Sequence, residues 1–399
     1  MSATIPVVSF SELERRLVAQ AEVRHVPLSG QLELTYRCNF DCVHCYEQDL
    51  RHTPELSTER WLKLVDQLAE LGCLWLTLTG GEAILHPGFE QIYERAVRRG
   101  LLVTVFSNGS LLTERIAELF RRLPPRSIEV TLYGFSEATY ARSTKREKGF
   151  DQAVAGIRRM VRDGHEVQVK TVVFNETADD FLAIKKFAEE LGCGFRYDTN
   201  LHAALGGGTG PLAHRLSPEA TIALEAQEPG AFENARKNYG AAPSDKVYRC
   251  GAGRFAFTIA PDGFLQLCTL VRSLRFDLAK TDFTEAWNAL GREVTRRYES
   301  PRRRCSTCEL QHMCGTCPGV ADVETGDVEA AIDHICETTH LRASAALGRE
   351  FIPRWKKDKA APSKLRVLGT GDSHGQRTQG CAGGCAGCAR ATPVRAAVD

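Results

Sequence analysis

Between residue 31 and about residue 200 the apolar positions follow two alternating periods. Six short strand-like runs lie at 31–36, 74–79, 101–108, 127–133, 166–174 and 194–199. The segments between them place apolar residues every three or four positions, which is the period of an amphipathic helix. Six strand–helix units in succession predict an α/β fold with a parallel sheet covered by helices. Because six units are too few for a closed eight-stranded barrel, we expect an open partial (β/α)6 barrel.

The helix after the first strand carries clear local signals. Ser57 is its expected N-cap, Trp61, Val65 and Leu68 share one face, and Gly72 follows the last turn. In parallel α/β folds the loops after the carboxyl ends of the strands build the functional site. Chemistry-bearing residues directly after strands are therefore the site candidates.

The pattern also predicts segments on both sides of this core. Residues 1–30 form an N-terminal extension, 31–200 the barrel core, and 201–249 a linker with barrel-completing helices. From 250 to 345 the elements are short and cysteines are frequent, which favours a small domain held by metal. Residues 355–399 contain cysteines but little apolar periodicity, so we expect a largely disordered tail.

Composition narrows the class of protein. The 399 residues carry a net charge of +1, with 43% hydrophobic and 25% charged residues, as in ordinary globular proteins. No global charge favours nucleic acid or a membrane surface as a partner. We find no signal-peptide pattern at the start and no apolar run of membrane-spanning length. We therefore expect a cytoplasmic protein with neither nucleic acid nor membrane as a partner.

Cysteine is the unusual component, with fifteen residues. Reducing compartments disfavour disulfides, so clustered cysteines more often bind metal. They fall at 38–45, 250–336 and 381–388, while Cys73 and Cys193 stand alone and are expected to be buried free thiols.

The first cluster, Cys38-x3-Cys42-x2-Cys45, directly follows the first strand. Thiolates favour zinc or iron–sulfur clusters. Three thiolates on a four-iron cluster leave one iron open to a small molecule with an amine and a carboxylate. A zinc site with His44 as the fourth ligand is the alternative.

Two further turns follow the next strands, Thr79-Gly80-Gly81-Glu82 and Ser107-Asn108-Gly109. With the cysteine triplet, they make the sequence resemble the radical SAM superfamily, in which S-adenosylmethionine (SAM) occupies the open iron. The resemblance implies that the triplet thiolates are the catalytic cluster ligands. Ala83 stands where the family usually has proline, and no aspartate follows the fourth strand at Tyr133-Gly134.

The same resemblance implies the SAM contacts. The backbone at Gly80 and Gly81, together with Glu82, would receive the methionine ammonium, and Ser107 and Asn108 would lie near the ribose and methionyl part. The remaining expected contacts are the Tyr46 backbone at adenine, the Thr131 hydroxyl, and Arg142 and Lys170 at the SAM carboxylate or ribose. For Arg142 and Lys170 a solvated surface position is the alternative.

Seven cysteines form the second set, which resembles the SPASM extension of radical SAM enzymes. They are Cys250, Cys268 in a Gly263-x4-Cys pattern, Cys305, Cys308, Cys314, Cys317 and Cys336. The resemblance implies an auxiliary [4Fe–4S] cluster on Cys305, Cys308, Cys314 and Cys336, and another on Cys250, Cys268 and Cys317 with an unidentified fourth ligand. The shortened spacing between Cys314 and Cys317 departs from the family pattern. A pair of structural zinc sites is the alternative.

The last triplet, Cys381-x3-Cys385-x2-Cys388, repeats the first spacing without a preceding strand. Four interpretations stay open: ligands of a further cluster, the missing ligand of the three-thiolate cluster, a tethered peptide substrate, or a tail without a catalytic role.

The resemblance also implies the chemistry, with SAM and three [4Fe–4S] clusters as cofactors. Reduction of the first cluster would cleave SAM to methionine and a 5′-deoxyadenosyl radical, which abstracts a hydrogen atom from the substrate. SPASM members act mostly on peptides or proteins, so we expect oxidative maturation of a ribosomally made peptide, through a thioether or carbon–carbon crosslink. The expected partner is a flavodoxin- or ferredoxin-type reductant. Residues 1–30 are too few for a winged-helix leader-binding domain, so two alternatives stay open: a separate leader-binding protein, or recognition of the substrate in another way.

Two alternatives to this function stay open. One is a maturase of a protein or small molecule, of the sulfatase-maturing or PQQ-biosynthesis type. Thr269 stands where sulfatase-maturing relatives carry an aspartate, which argues against a sulfatase-maturing activity. The other is a non-catalytic iron–sulfur electron carrier or redox sensor, which would need neither glycine-containing turn.

Overall fold

The structure is a computed structural model and describes residues 9–299, 304–353 and 355–356. The described residues up to 353 belong to one compact unit, whereas Trp355 and Lys356 belong to a second. The cysteines at 381, 385 and 388 lie outside the described residues, so the predictions for them and for the tail stay predictions.

Nine strands of the described chain form one sheet in the order β6-β5-β4-β3-β2-β1-β7-β8-β9. They are β1 Ser29–Thr35, β2 Trp75–Gly80, β3 Leu102–Ser107, β4 Ser127–Thr131, β5 Val167–Val172, β6 Gly194–Asp198, β7 Ala256–Ile259, β8 Phe264–Gln266 and β9 Arg275–Asp277. The first six strands pair in parallel, each with its neighbour along the chain. This confirms the predicted α/β fold with a parallel sheet.

Helices connect these strands and continue the chain beyond them. They are α1 Phe10–Arg24, α2 Thr58–Glu70, α3 Phe89–Arg98, α4 Glu114–Arg122, α5 Glu137–Thr144, α6 Gly149–Arg162, α7 Phe181–Glu190, α8 Pro218–Glu225, α9 Glu233–Asn238, α10 Phe283–Glu293, α11 Pro318–Thr325 and α12 Asp333–Leu347. Short 3-10 helices lie at Gln48–Leu50, Ala83–Leu85, Ala178–Asp180, Gly210–His214 and Gln311–Met313. No described helix is both long and apolar enough to cross a membrane.

Helix α2 forms as its sequence predicts. The Ser57 hydroxyl caps it by accepting a hydrogen bond from the Arg60 backbone N–H at 3.3 Å. The predicted face, Trp61, Val65 and Leu68, is buried in the main core. A buried apolar stripe of this kind supplies most of the stability of a helix in a globular protein.

The sheet extends beyond the six parallel strands. Strand β7 pairs in parallel with β1, and the antiparallel strands β8 and β9 follow it. Phe257 and Leu265 of this extension, and Trp287 of α10, belong to the same hydrophobic core as the parallel strands. The first part of the cysteine-rich region is therefore supported by this core as well as by whatever its thiols bind. The boundaries at 200, 250 and 345 stay predictions.

The N-terminal extension contains a helix that the sequence patterns did not predict. Helix α1 begins at the capping residue Ser9 and ends at His25, whose backbone is in the left-handed region. The His25 ring stacks on Trp287 at 4.5 Å between centroids, and Trp287 Nε1 donates to the His25 carbonyl at 2.7 Å. These contacts attach the end of α1 to α10.

Candidate active site

A cavity of about 360 Å³ lies at the carboxyl ends of strands β1 to β6. Its lining contains residues that end or follow each of these strands, as expected for a parallel α/β fold. The structure brings together ten of the predicted site residues around it: Cys38, Cys42, Cys45, Tyr46, Gly80, Gly81, Ser107, Asn108, Thr131 and Lys170.

The three thiols of the first triplet face this cavity from the loop after β1. Cys42 is buried, whereas Cys38 and Cys45 are partly buried. The Cys38 sulfur accepts hydrogen bonds from the Phe40 backbone N–H at 3.4 Å and from Asn108 Nδ2 at 3.7 Å. The second contact joins the triplet loop to the turn after β3.

Burial disfavours the charged form of these thiols. It raises the pKa of Cys38 to about 11 and that of Cys45 to about 12, and it raises the pKa of Cys42 well above its usual value. The neighbouring thiols add to the pKa increase of Cys42. A bound metal stabilises thiolates directly and displaces their protons. The three side chains therefore fit a metal-containing group better than they fit free thiolates.

The size of that group follows from how the ligands are arranged. A four-iron cluster is larger than one ion, and its thiolates bind different irons. Three thiols that face one shared space, as here, fit such a cluster.

His44, the alternative zinc ligand, packs among aromatic rings. Its ring lies 5.0 Å from that of Tyr133 and 4.3 Å from that of Phe174, measured between centroids. Burial lowers the pKa of His44 to about 3, so the imidazole is neutral. His44 therefore contributes an uncharged, largely apolar wall to the cavity.

The turn after β2 brings backbone rather than side chains to the site. Gly80 has a φ of 130°, and a Cβ there would overlap the carbonyl oxygen of Thr35. A Cβ at Gly81 would lie 2.5 Å from the carbonyl oxygen of Arg37. Glycine is therefore required at both positions, because the turn lies directly against the chain that leads into the triplet.

Glu82, expected at the methionine ammonium, is buried and is not part of the cavity lining. Its carboxylate accepts from the Ser107 hydroxyl at 3.0 Å, from the Asn108 N–H at 2.8 Å and from the Ile84 N–H at 3.3 Å. These bonds fix the turn after β3 against the turn after β2. In this structure Glu82 therefore positions Ser107 and Asn108 for a ligand.

The burial of Glu82 predicts a pH dependence of stability. Burial raises its pKa from 4.5 to about 7, although its hydrogen bonds act in the opposite direction. A carboxyl group with a raised pKa in the folded state contributes stability below about pH 4.5, and that contribution is lost as the pH rises to about 7. In the cluster-free protein we expect the free energy of unfolding, relative to the Glu82→Gln variant, to fall by about 3 kcal/mol across this range. Urea unfolding at both pH values measures this, and parallel pH curves for the two proteins would contradict it.

Tyr46 lines the cavity next to a glycine-rich segment. Its carbonyl accepts a hydrogen bond from the Leu205 N–H at 2.7 Å. Gly206 packs against Asp49, since a Cβ at Gly206 would lie 2.7 Å from that of Asp49. The Tyr46 carbonyl is therefore already engaged, and the segment around 205–206 covers the loop that follows the triplet.

Lys170 lines the cavity, whereas Arg142 is not part of its lining. Lys170 Nζ lies 3.4 Å from a Glu129 carboxylate oxygen and 3.3 Å from the centroid of the Phe106 ring. Burial lowers its pKa to about 8. Arg142 lies exposed on α5 and donates to the Thr139 hydroxyl at 3.2 Å. The structure thus favours the site position for Lys170 and the surface position for Arg142.

Several lining residues were missed by the sequence analysis. They are Tyr36, Glu47, Arg51, Asp198, Asn200 and His202. Asp198, Asn200 and His202 end or follow β6. The rule that residues directly after strands are site candidates, which pointed to the turns after β1, β2 and β3, would therefore have found them. Glu47 lay two residues beyond the triplet, on the same loop.

A second, smaller cavity of about 50 Å³ lies in the cysteine-rich region. Four predicted ligands line it together: Cys305, Cys308, Cys314 and Cys336. Burial, with the other three thiols, raises the pKa of Cys305 to about 11. Arg249 and Arg304 also line the cavity, and cations favour thiolates. The shortened spacing therefore does not separate Cys314 from the other three.

The remaining three cysteines of the set form a separate group. Burial raises the pKa of Cys268 to about 12, and the nearby Cys317 and Cys250 raise it further. Cys317 is the N-cap of α11, and its sulfur accepts from the Val320 N–H at 3.4 Å. The positive end of the helix dipole favours a thiolate at this position. Cys250 is exposed. The assignment of these cysteines to a second auxiliary cluster stays a prediction.

Comparison with known proteins gives the class of the chain. Residues 32–188 match the radical SAM superfamily. An AdoMet-dependent heme synthase of Methanosarcina barkeri (strain Fusaro / DSM 804) is 26% identical over 328 residues, covering 74% of this chain and 92% of that protein. The PqqA peptide cyclase of Bradyrhizobium diazoefficiens is 26% identical over 355 residues, covering 80% and 89%.

A solved structure supports the fold. The crystal structure of Streptococcus suis SuiB bound to precursor peptide SuiA matches with a TM-score of 0.64 over 84% of each chain. The sequences are 14% identical, so the likeness concerns the fold alone.

Residues 32–188 of the chain form a radical SAM domain, and the chain is an enzyme of this type. Its cysteine-rich C-terminal region is consistent with the SPASM type of peptide maturase. Membership implies SAM and a [4Fe–4S] cluster as cofactors. The predicted family, fold class and enzymatic nature are thereby confirmed.

Proposed function

We propose that this enzyme oxidatively matures a ribosomally made peptide, by forming a thioether or carbon–carbon crosslink. The observation that carries the proposal is the first cavity, where three thiols meet the glycine turn after β2 and the Ser107-Asn108 turn in one space. An electron-carrier protein needs an iron–sulfur cluster, but it does not need a ligand cavity beside that cluster. The non-catalytic alternative is therefore not favoured.

In this proposal Cys38, Cys42 and Cys45 hold a [4Fe–4S] cluster with one iron left for SAM. That cluster would supply the electron that cleaves SAM, and the resulting 5′-deoxyadenosyl radical would abstract hydrogen from the peptide. The chain itself binds and orients. Gly80 and Gly81 allow close approach of backbone groups, and Lys170 supplies a buried cation for an anionic group.

The cysteine-rich region would hold two auxiliary clusters as electron acceptors. The cavity lined by Cys305, Cys308, Cys314 and Cys336 supports the first. The group of Cys250, Cys268 and Cys317 supports the second, with three thiolates and a fourth ligand from elsewhere. In this proposal residues 250–345 form the region that holds the auxiliary clusters. The enzyme works in the cytoplasm, and its reductant is of the flavodoxin or ferredoxin type.

A peptide substrate is supported by the relatives. The Bradyrhizobium relative is by name a cyclase of the PqqA peptide, and SuiB was crystallised with its precursor peptide. Both match this chain over more than three quarters of its length. A separate leader-binding protein remains part of the proposal.

Anaerobic reconstitution tests this function. We expect the purified enzyme, given iron, sulfide, SAM and dithionite, to form 5′-deoxyadenosine. Co-expressed with small peptides encoded beside its gene, it should yield a peptide that has lost two hydrogen atoms, detected by mass spectrometry. Intact clusters without SAM cleavage would contradict the radical mechanism. Cleavage with unmodified peptides but a modified porphyrin, given the name of the Methanosarcina relative, would contradict the peptide substrate.

A further inference from the structure

A fully buried carboxylate, Glu33, has no role in the function proposed above. It lies on β1, between β2 and β7, and its side chain has no exposed surface. Burying a carboxylate is costly unless polar partners surround it. Such a residue in the strand that leads to the triplet calls for a chemical explanation.

The hydrogen bonds of Glu33 reach the loop after Cys268. The Thr269 hydroxyl donates to Glu33 Oε1, and Gln31 Nε2 donates to the same oxygen at 3.4 Å. Gln31 Nε2 also donates to the Thr269 hydroxyl at 2.8 Å. One carboxylate oxygen is thus held by residues from β1 and from the loop that carries an auxiliary cysteine.

The second oxygen of Glu33 connects to the cavity. The Tyr36 hydroxyl donates to Glu33 Oε2 at 3.0 Å, and Tyr36 is part of the cavity lining. Arg272 Nη1 lies 3.0 Å from the Tyr36 hydroxyl and can only donate. The single hydroxyl proton must therefore point at Glu33. This gives a chain of hydrogen bonds from Arg272 to Tyr36 to Glu33, in which the Tyr36 proton is already directed at the carboxylate.

The charges around Glu33 act in opposite directions. Burial raises its pKa, whereas Thr269, Tyr36 and the Arg272 charge lower it. The Glu47 carboxylate, which lines the cavity, is also buried, and the nearby charge of Glu33 adds to the increase that burial causes in the pKa of Glu47. The Arg272 backbone N–H donates to Asp322 of α11 at 2.9 Å, which attaches this part of the chain to α11. Glu33 is thus a buried carboxylate with a raised pKa, and the Arg272 guanidinium lies on the far side of the Tyr36 hydroxyl from it.

We propose that Glu33 is the terminal proton acceptor of the oxidative step, reached from the cavity through the Tyr36 hydroxyl. The inference rests on the proposed function. When the substrate carbon radical bonds to a neighbouring sulfur or carbon, the S–H or C–H bond there breaks, and one proton and one electron must leave. The proton passes to the Tyr36 oxygen while the Tyr36 proton moves to Glu33 Oε2, and the electron passes to an oxidant of the iron–sulfur class. Glu33 acts through Tyr36 and does not touch the substrate.

The first test separates hydrogen abstraction from product formation. Glu33→Gln keeps the size and removes the proton acceptor, and Tyr36→Phe removes the relay but keeps the carboxylate. In both reconstituted variants we expect the ratio of modified peptide to 5′-deoxyadenosine to be lower by about 100-fold than in the wild type. In the wild type the product per SAM cleaved should rise with pH as the acceptor ionises, and in Glu33→Gln it should not. Glu329→Gln, which removes a buried carboxylate paired with Arg296, is the matched control and should keep the wild-type ratio.

The second test needs neither clusters nor substrate. Because the pKa of Glu33 is raised by folding, the cluster-free wild type should lose stability relative to Glu33→Gln as the pH rises above the ordinary glutamate range. Tyr36→Phe should retain this pH dependence, since it keeps the carboxylate. If either variant forms as much modified peptide as the wild type, the relay through Tyr36 is overturned. If the stability curves of the wild type and Glu33→Gln run parallel with pH, the role of Glu33 as the proton acceptor is overturned. If the wild type itself makes no modified peptide, the proposed function has failed, and the stability curves still decide whether folding raises the pKa of Glu33.

Discussion

Replacing Cys42 with serine is expected to reduce the formation of 5′-deoxyadenosine to the background of the reaction without enzyme. Cys42 is the most deeply buried thiol of the triplet, so no solvent ligand can take its place easily. A serine hydroxyl is a much poorer ligand for iron than a thiolate, because soft metals in clusters prefer sulfur. With two thiolates left, the cluster that SAM needs would not be retained. Anaerobic chromatography of the nucleoside products measures the effect.

The matched control is Cys73→Ser. Cys73 is as buried as Cys42, and burial raises its pKa to about 12, but it precedes β2 and is not part of the cavity lining. We expect this variant to retain its iron and its SAM cleavage. Cys42→Ser should lose about four iron atoms per chain, the content of one cluster. SAM cleavage by Cys42→Ser at the rate of the Cys73→Ser control would show that the triplet is not the SAM-cleaving centre.

The parallel core was predictable because its signals are local. Each of the six predicted strands overlaps one of β1 to β6, and the Ser57 cap and the apolar face of α2 occur where the sequence indicates them. Periodicity and capping depend on neighbours a few residues away, which the sequence displays directly. The turns after β1, β2 and β3 were found for the same reason.

What the sequence did not predict depends on pairing between distant segments. Strand β7 lies more than 220 residues after its partner β1, and β8 and β9 are only three residues long each. Such short strands carry too little periodicity to be recognised. Their place beside β1 follows from the core residues that they share with it, which become visible only in three dimensions.

The roles of individual site residues were harder to predict than their positions. Glu82 follows the glycine turn as the resemblance requires, yet its carboxylate is used by Ser107 and Asn108. Glu33 had no motif at all, because its significance comes from Tyr36 and from Thr269, a residue 236 positions away. A motif locates a residue along the chain, whereas hydrogen-bond partners are selected by the fold.

Removing Cys305 is expected to separate SAM cleavage from product formation. Cys305→Ser takes one thiolate from the four that line the small cavity, far along the chain from the triplet. We expect about four iron atoms per chain to be lost, as for one cluster. SAM cleavage should continue, because the first cavity keeps all of its lining residues, but its rate should be lower than in the wild type. Modified peptide should fall by about 100-fold, because the electron left on the substrate then loses one of its two proposed acceptors.

The control for this variant is Cys193→Ser, which removes a partly buried thiol between α7 and β6 without touching either group of auxiliary cysteines. Iron content, 5′-deoxyadenosine and modified peptide should all stay close to wild type. Full product from Cys305→Ser would show that the four-thiol cavity has no part in the oxidation. Loss of SAM cleavage as complete as in Cys42→Ser, with the iron of the first cluster retained, would instead give the four-thiol site a role in delivering the electron to SAM. The ratio of modified peptide to 5′-deoxyadenosine therefore distinguishes an acceptor after hydrogen abstraction from a donor before it.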